Sequence, residues 1–161
     1  MKIYSLRKTQ FLPITQDMAW TFFSSPGNLG KITPEGMGFR ILRMSGGDKM
    51  YQGQIIQYKI KVFPHINVNW VTEITHVEMP GYFVDEQRFG PYSWWHHQHF
   101  FQEVKGGVEM TDEVNYAMPL GILGRLAHLL FVRRQIMLIF DYRSTVLKEY
   151  FSLARNSSKS P

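Results

Sequence analysis

Apolar residues change their spacing twice along the chain, and the two changes divide it into elements. Loose alternation over 2–12, with Ile3, Tyr4, Leu6 and Phe11, predicts a strand that Pro13 ends. Thr15 then serves as N-cap for a short helix over 16–24, with Asp17 in its first turn and Met18, Ala19, Phe22 and Phe23 as its buried stripe. The run Ser24-Ser25-Pro26-Gly27-Asn28 breaks that helix, and 29–32 makes one further turn before Thr33-Pro34 stops it. From 37 to 116 alternation dominates. Strands are predicted at 39–44, ended by Ser45-Gly46-Gly47-Asp48, at 51–63, with Ile56, Tyr58, Ile60 and Val62 on one face, and at 68–77, with Val68, Trp70, Thr72 and Ile74 together. Turns at Pro64-His65 and Met79-Pro80-Gly81 separate them, and a hairpin over 85–101 is hinged on Gly90-Pro91. Gly106-Gly107 leads into 108–116, where Val108, Met110, Asp112, Val114 and Tyr116 share a face and Glu109, Thr111, Glu113 and Asn115 meet water.

After Met118-Pro119 the spacing becomes helical. Pro119 suits a first helical position, and from 125 to 153 there is no Gly or Pro. Leu126, Leu130, Met137, Phe140, Leu147 and Phe151 mark one stripe of a helix some ~45 Å long, with Arg133, Arg134, Arg143 and Lys148 on the other faces. Runs at 129–132 and 136–140 make it apolar nearly all round, which leaves one side for a lid, a subunit contact or a membrane surface. This element order describes an α+β helix-grip fold. A strongly curved antiparallel sheet of about seven strands wraps a long C-terminal helix, two short helices follow the first strand, and a cavity lies between sheet and helix.

Composition narrows the function classes. The 161 residues suit one domain, taken as 1–155 with a polar tail at 156–161, and 44% hydrophobic against 19% charged residues is a globular mixture. Cysteine is absent, which excludes disulfides, thiolate metal sites and a thiol nucleophile. The opening residues lack a signal-peptide core, and no apolar run reaches the ~20 residues that span a bilayer, so the cytoplasm is expected. The net charge of +5 is localised. From Pro119 onward Arg125, Arg133, Arg134, Arg143, Lys148, Arg155 and Lys159 stand against Asp141 and Glu149 alone. A solvated helix face accounts for such charge in the ordinary case, and an anionic ligand or acidic membrane is the sharper alternative. No nucleic-acid motif accompanies it, and none is expected as a partner.

The hairpin carries the candidate chemistry. On its second strand Trp95, His97, His99 and Phe101 share one face, and Trp94, His96, Gln98 and Phe100 the other. With Gly90-Pro91-Tyr92 as the loop, Phe89 faces Ser93, Gln87 faces Trp95, Asp85 faces His97 and Phe83 faces His99. A next loop at 104–107 sets Glu103 opposite Val108, Phe101 opposite Met110, His99 opposite Asp112 and His97 opposite Val114. Two carboxylate–imidazole pairs, Asp85–His97 and His99–Asp112, then stand side by side, with Thr72 and Gln87 adjacent and Trp70, Phe83, Trp95, Phe101, Met110 and Tyr116 as apolar walls. Such pairs can be mutually satisfied buried groups, the polar end of a ligand pocket, or an imidazole base fixed by a carboxylate. His97 and His99 with one Asp also match a two-His, one-carboxylate metal face, yet each His already has a carboxylate beside it, so no metal or cofactor is assigned. A one-residue slip would turn His96 and Gln98 inward instead, and pattern alone leaves that open. His65, His76 and His128 are isolated imidazoles, expected at the surface or behind the site.

Several stretches resemble the SRPBCC superfamily of START, polyketide cyclase and birch-pollen-allergen-like domains, and most of all its bacterial branch of uncharacterised ligand-binding proteins. They are Asn28-Leu29 with Ile32-Thr33-Pro34; Gly38-Phe39-Arg40-Ile41; Trp70, Thr72 and Ile74; Phe83, Asp85, Gln87 and Gly90-Pro91; Trp95, His97, His99 and Phe101; Asp112, Val114, Tyr116, Pro119 and Gly121; and Phe140-Asp141-Tyr142-Arg143. The resemblance covers nearly the whole chain. It implies the helix-grip fold, a hydrophobic cavity, and His97 and His99 pointing inward, and the branch includes domains found beside sugar-nucleotide epimerase-like proteins. The expected function is that of a carrier or sensor for a small hydrophobic or lipid-like ligand. The alternatives are a cyclase- or hydrolase-like enzyme using His97 or His99 as base with Asp85 or Asp112, and an interaction protein that docks through its basic C-terminal helix. Fold alone does not choose among them.

Overall fold

The structure is a computed structural model that describes residues 1–63 and 66–157, with backbone alone at 63 and 153–157. The turn expected at Pro64-His65 and the chain end at 158–161 lie outside the described residues. Strand β1 (Ile3–Leu12) is followed by α1 (Gln16–Phe23) and two 3-10 turns, Pro26–Ile32 and Glu35–Met37. Six strands then run in succession: β2 (Arg40–Met44), β3 (Ile55–Phe63), β4 (Ile66–Glu78), β5 (Tyr82–Phe89), β6 (Trp94–Val104) and β7 (Gly107–Ala117). They form one antiparallel sheet in the order β1-β7-β6-β5-β4-β3-β2. Short turns impose the meander, and β1 returns to pair along the whole of β7. Register shifts at Ile41/Arg43, Lys61/Phe63, Val71/Thr72 and Ile74/His76 are bulges, which bend strands and raise their twist. The helix-grip fold expected from the pattern is the fold found.

Alternation buries one face of each central strand in two apolar clusters. Leu12, Trp20, Phe83, Phe101, Val108 and Met110 pack with Leu147 and Phe151 at one end. Tyr58, Trp70, Trp95, Val114 and Tyr116 pack with Ile136 and Phe140 at the other. Along β5, β6 and β7 the residues between the clusters are Asp85, His97, His99 and Asp112, so the polar groups form a belt across an otherwise apolar interior.

Three local expectations change. In α1 the buried residues are Ala19, Trp20 and Phe22, while Met18 is exposed, because the indole of Trp20 packs edge-on against Phe83 and Phe101 and sets the rotation of the helix. The strand expected from 51 begins at Ile55. Residues before it form a turn in which buried Gln54 donates its amide to the carbonyls of Ser45 and Gly47. Thr111, expected to meet water, is buried, with its hydroxyl 3.0 Å from that of Thr9.

The C-terminal helix is also not a single α-helix. It runs as α2 (Gly121–Ala127), a π-helical turn (His128–Val132) and α3 (Arg133–Ser157), which takes in the first two residues of the expected tail. A π turn accommodates an extra residue and so rotates the faces of the helix on its N-terminal side relative to those on its C-terminal side. Phe140, Leu147 and Phe151 are therefore buried as expected, joined by Val132 and Ile136, whereas Leu126, Leu130 and Met137 are exposed. Gln10 of β1 holds α3 to the sheet edge through two hydrogen bonds with Ser144, of 2.8 and 2.9 Å. No helix among the described residues is long and apolar enough to cross a membrane.

The assignment of α1's inner face predicts that Trp20→Ala lowers unfolding free energy by about 3–5 kcal/mol. Met18→Ala should change it by less than about 0.5 kcal/mol. Urea denaturation of both variants checks this, and the reverse ranking would restore Met18 to the core.

Candidate functional site

The β5–β6 ladder over 82–86 and the β6–β7 ladder have the registers the hairpin arithmetic requires, while the expected facings of Gln87 with Trp95 and Phe89 with Ser93 lie beyond the β5–β6 ladder, which ends at Glu86 opposite His96. Phe83 faces His99, Asp85 faces His97, Phe101 faces Met110, His99 faces Asp112, His97 faces Val114 and Glu103 faces Val108. His97 and His99 point inward, 5% and 7% exposed. His96 points out, with its Nδ1 2.6 Å from Glu86 Oε1, and Gln98 Oε1 accepts from the Tyr82 hydroxyl at 2.9 Å. The choice of face left open by pattern is thus decided.

The two carboxylates and two imidazoles form one closed ring rather than two separate pairs. His97 Nδ1 lies 3.3 Å from Asp85 Oδ2 and its Nε2 3.0 Å from Asp112 Oδ1. His99 Nε2 lies 2.8 Å from Asp85 Oδ2 and its Nδ1 2.9 Å from Asp112 Oδ1. The side-chain hydrogen bonds with favourable geometry run diagonally, His97 to Asp112 and His99 to Asp85, not between the directly opposed residues. His99 Nδ1 is close to Asp112 but off the line for a hydrogen bond and is left without one. The imidazoles overlap with their centres 3.7 Å apart, Phe83 stacks on His99 at 4.0 Å, and Phe140 meets His97 edge-on.

Burial opposes charge on Asp85, Asp112 and His97, and attraction within the ring overcomes it. For Asp85 burial is outweighed by the charge of His97 and by the close approach of both imidazole nitrogens, which hold its carboxyl well below the usual range. Asp112 is lowered in the same way, with the hydrogen bond from His97 and the close approach of His99 the leading favourable causes. His97 is raised, because burial is exceeded by Asp85's charge, the hydrogen bond to Asp112 and the close contact with Asp85. Asp85, His97 and His99 each offer one ligand atom, all within 4.8 Å of one another, and Asp112 holds the opposite ring nitrogens. A divalent cation could use that face once the imidazoles gave up their protons.

Two cavities of about 90 and 120 Å³ flank the ring, and Leu29, Tyr58, Asp85, His99 and Arg143 border both. Thr72 and Phe83 line the first, and Trp70, Trp95 and His97 the second. A third chamber of about 360 Å³ under α2 shares Val62, Tyr92, Ile136 and Ile139 with the second. Thr72 is buried, with its hydroxyl 3.3 Å from that of Tyr58, whose own pKa burial pushes well above the usual range. Two buried donors here have no hydrogen-bond partner among the described residues, Trp70 Nε1 and Arg143 Nε.

Five residues expected at the cavity lie elsewhere. Gln87 clamps its own hairpin, donating to the Tyr92 carbonyl at 2.7 Å and accepting from the Tyr92 N–H at 3.3 Å. A Cβ at Gly90 would fall 2.3 Å from Gln87 Oε1, so the glycine makes that clamp feasible. Phe101 and Met110 are packed in the core under α1. Asp112 stands behind the imidazoles, and Tyr116 reaches toward the C-terminal segment, where its hydroxyl is 2.9 Å from His128 Nε2. His128 is buried and stacked on Tyr4 at 3.5 Å, the second of the two positions expected for it, while His76 is exposed outside the site and His65 falls outside the described residues. The residues not anticipated are Tyr58, Tyr92 and Arg143. Arg143 follows Phe140 by three positions and lies over its ring, a helical spacing that could have drawn attention to it.

This arrangement defines a helix-grip protein whose apolar interior is interrupted by one buried ionic belt, and comparison with solved structures finds the same fold. An aromatase/cyclase from Streptomyces sp. R1128 superposes with a TM-score of 0.76 at 10% identity, covering 99% of this chain and 100% of that one. A norcoclaurine synthase point mutant from Thalictrum flavum, in complex with a transition-state analogue, gives 0.66 at 11%, covering 92% and 96%. A nucleoside-diphosphate sugar epimerase from Corynebacterium glutamicum gives 0.65 at 21%, covering 95% of this chain but 30% of that one. At these identities the likeness establishes the fold. No family model matches the sequence, and no curated protein matches it.

The ring makes stability depend on pH in a defined way. Lowered carboxyl pKa values stabilise the fold above about pH 4 and lose that contribution as pH falls below it, while the raised His97 contributes fully below about pH 6.5 and loses its part as pH rises through its folded pKa. Asp112→Asn should therefore cost about 3–5 kcal/mol near pH 6 and flatten the acid limb. Denaturant unfolding across pH checks this, and an acid limb unchanged in the variant would refute the coupling.

Proposed function

We propose that the chain is a cytoplasmic binding protein for a small, mostly apolar molecule whose one polar end meets Asp85, His99 and Arg143, between the sheet and α3. The observation that carries this reading is the pair of unpartnered buried donors, Trp70 Nε1 and Arg143 Nε, bordering apolar space. A buried donor without a partner costs about 1–3 kcal/mol, and a ligand carbonyl, hydroxyl or carboxylate that accepts from it recovers that cost. An apolar cavity of about 150 Å³ holds one benzene, so the two lobes of about 90 and 120 Å³ together suit about one ring. Longer, lipid-like molecules would need the chamber beside Tyr92 and Ile139 as well.

A catalytic reading rests on a different observation. His99 borders both lobes and its Nε2 is hydrogen-bonded to Oδ2 of the cavity-facing Asp85, an arrangement able to take up or return a proton at a bound molecule. Fold neighbours are named as a cyclase and a synthase, which keeps this alternative in view. Its limit is that both imidazoles are already held by two carboxylates each.

Native mass spectrometry of the purified protein, with tryptophan fluorescence titration against aromatic acids and fatty acids, tests the proposal. A retained or added ligand is expected, with affinity falling about tenfold or more in Arg143→Leu while the melting temperature holds. No uptake across the panel, or uptake indifferent to Arg143→Leu, would overturn it. Binding retained but turnover lost in His99→Gln would move the assignment to the enzyme.

A further inference from the structure

The π turn leaves α2 and its flanks with an outward face that no described residue covers. Leu120, Ile122, Leu123, Leu126, Leu129 and Leu130 are between 53% and 81% exposed, all within one short stretch of chain. Contiguous exposed apolar surface of this kind marks a site of association. The backbone holds it outward. Leu120 adopts the left-handed conformation at φ 62°, unfavourable for a branched side chain. At Gly124 a Cβ would fall 1.9 Å from the Pro119 carbonyl oxygen, so α2 sits against the preceding turn only because that position is glycine.

Beside the ridge lies a second, independent feature. Lys2, Arg125 and Arg133 line one groove of about 580 Å³ together with Leu129 and Met137, and no carboxylate of the described residues borders it. None of the three cations is in an ion pair among the described residues. Their field is felt within the fold. Burial first, then Arg133 and Lys2, hold His128 below its ordinary pKa. Arg134, also exposed, adds to the same end of the molecule.

We infer that this ridge and groove form a docking surface for an anionic phospholipid bilayer, the leucines entering the acyl boundary and the Lys2–Arg125–Arg133 groove receiving lipid phosphate. An exposed apolar face bordered by basic residues is the composition that binds at such an interface. A second copy of the chain fits less well, since a two-fold contact through this face would set the same arginines against each other. The inference is independent of what the interior cavity holds.

Flotation with phosphatidylcholine vesicles, with and without phosphatidylglycerol, tests it on the full chain. Association is expected with the anionic vesicles alone and should weaken as salt rises. Arg125→Ala and Arg133→Ala should each reduce it about fivefold, as expected for a basic residue near a charged membrane surface. Ile122→Ser combined with Leu123→Ser should reduce it at least about tenfold, with circular dichroism unchanged because both side chains are exposed. Equal association with both vesicle types, no association, or indifference to these variants would overturn the assignment. Lipid-free self-association abolished by Ile122→Ser with Leu123→Ser would also overturn it and give the ridge to a second copy.

Discussion

The interior is organised around a cost that has to be met in place, the burial of two carboxylates and two imidazoles amid aromatic side chains. Each of these groups, isolated, would be excluded from such an environment. Together they close a ring in which every acid oxygen used is shared by two imidazoles, and the ring stands only while β5, β6 and β7 keep their register. A slip of β6 by one residue would bury His96 and Gln98 and turn both imidazoles away from their carboxylates. Buried polar groups therefore restrict the alternatives open to the sheet, while the apolar clusters on either side contribute most of the packing.

The same belt divides the cavity. Were Asp85 and His99 apolar, the two clusters could close over the gap between them. Instead Leu29, Tyr58, Asp85, His99 and Arg143 surround a junction with space on both sides, and two donors at its margin lack hydrogen-bond partners among the described residues. Aromatic walls with few, placed polar groups are the features of a binding site. The fold neighbours include proteins named for cyclase and synthase activity, which shows that this scaffold accommodates chemistry without assigning any to this chain.

The C-terminal segment serves two purposes because the π turn separates them. α3 turns Ile136, Phe140 and Leu147 onto the sheet and closes the interior, while α2, rotated relative to it, turns its leucines outward. Buried His128 at the start of the π turn is held by the Tyr116 hydroxyl and the Tyr4 ring, so the break is packed into the core and is not a frayed end. Burial pushes the Tyr116 hydroxyl up to about 12, keeping it a hydrogen-bonding group across the physiological range.

Strand alternation, turn residues and hairpin arithmetic were sufficient to establish the meander, the inward face of most strands, and which residues of β5, β6 and β7 stand opposite one another. Those features depend on a period of two and on loop length, both properties of neighbouring residues. What the sequence could not express was three-dimensional. It placed Asp85 beside His97 but not Asp112 within reach of the same ring, since diagonal contacts depend on side-chain rotation across a twisted sheet. It suggested one helical stripe through 126 and 130, because a π turn has no distinct composition. It took Gln87 for a wall residue, although the hairpin loop offered that amide two backbone partners. Arg143 gained its meaning only when α3 was laid over β3 and β5. Local periodicity determined the elements and their pairing, and only tertiary packing decided which polar groups met, which donors stayed unpaired and which leucines were left outside.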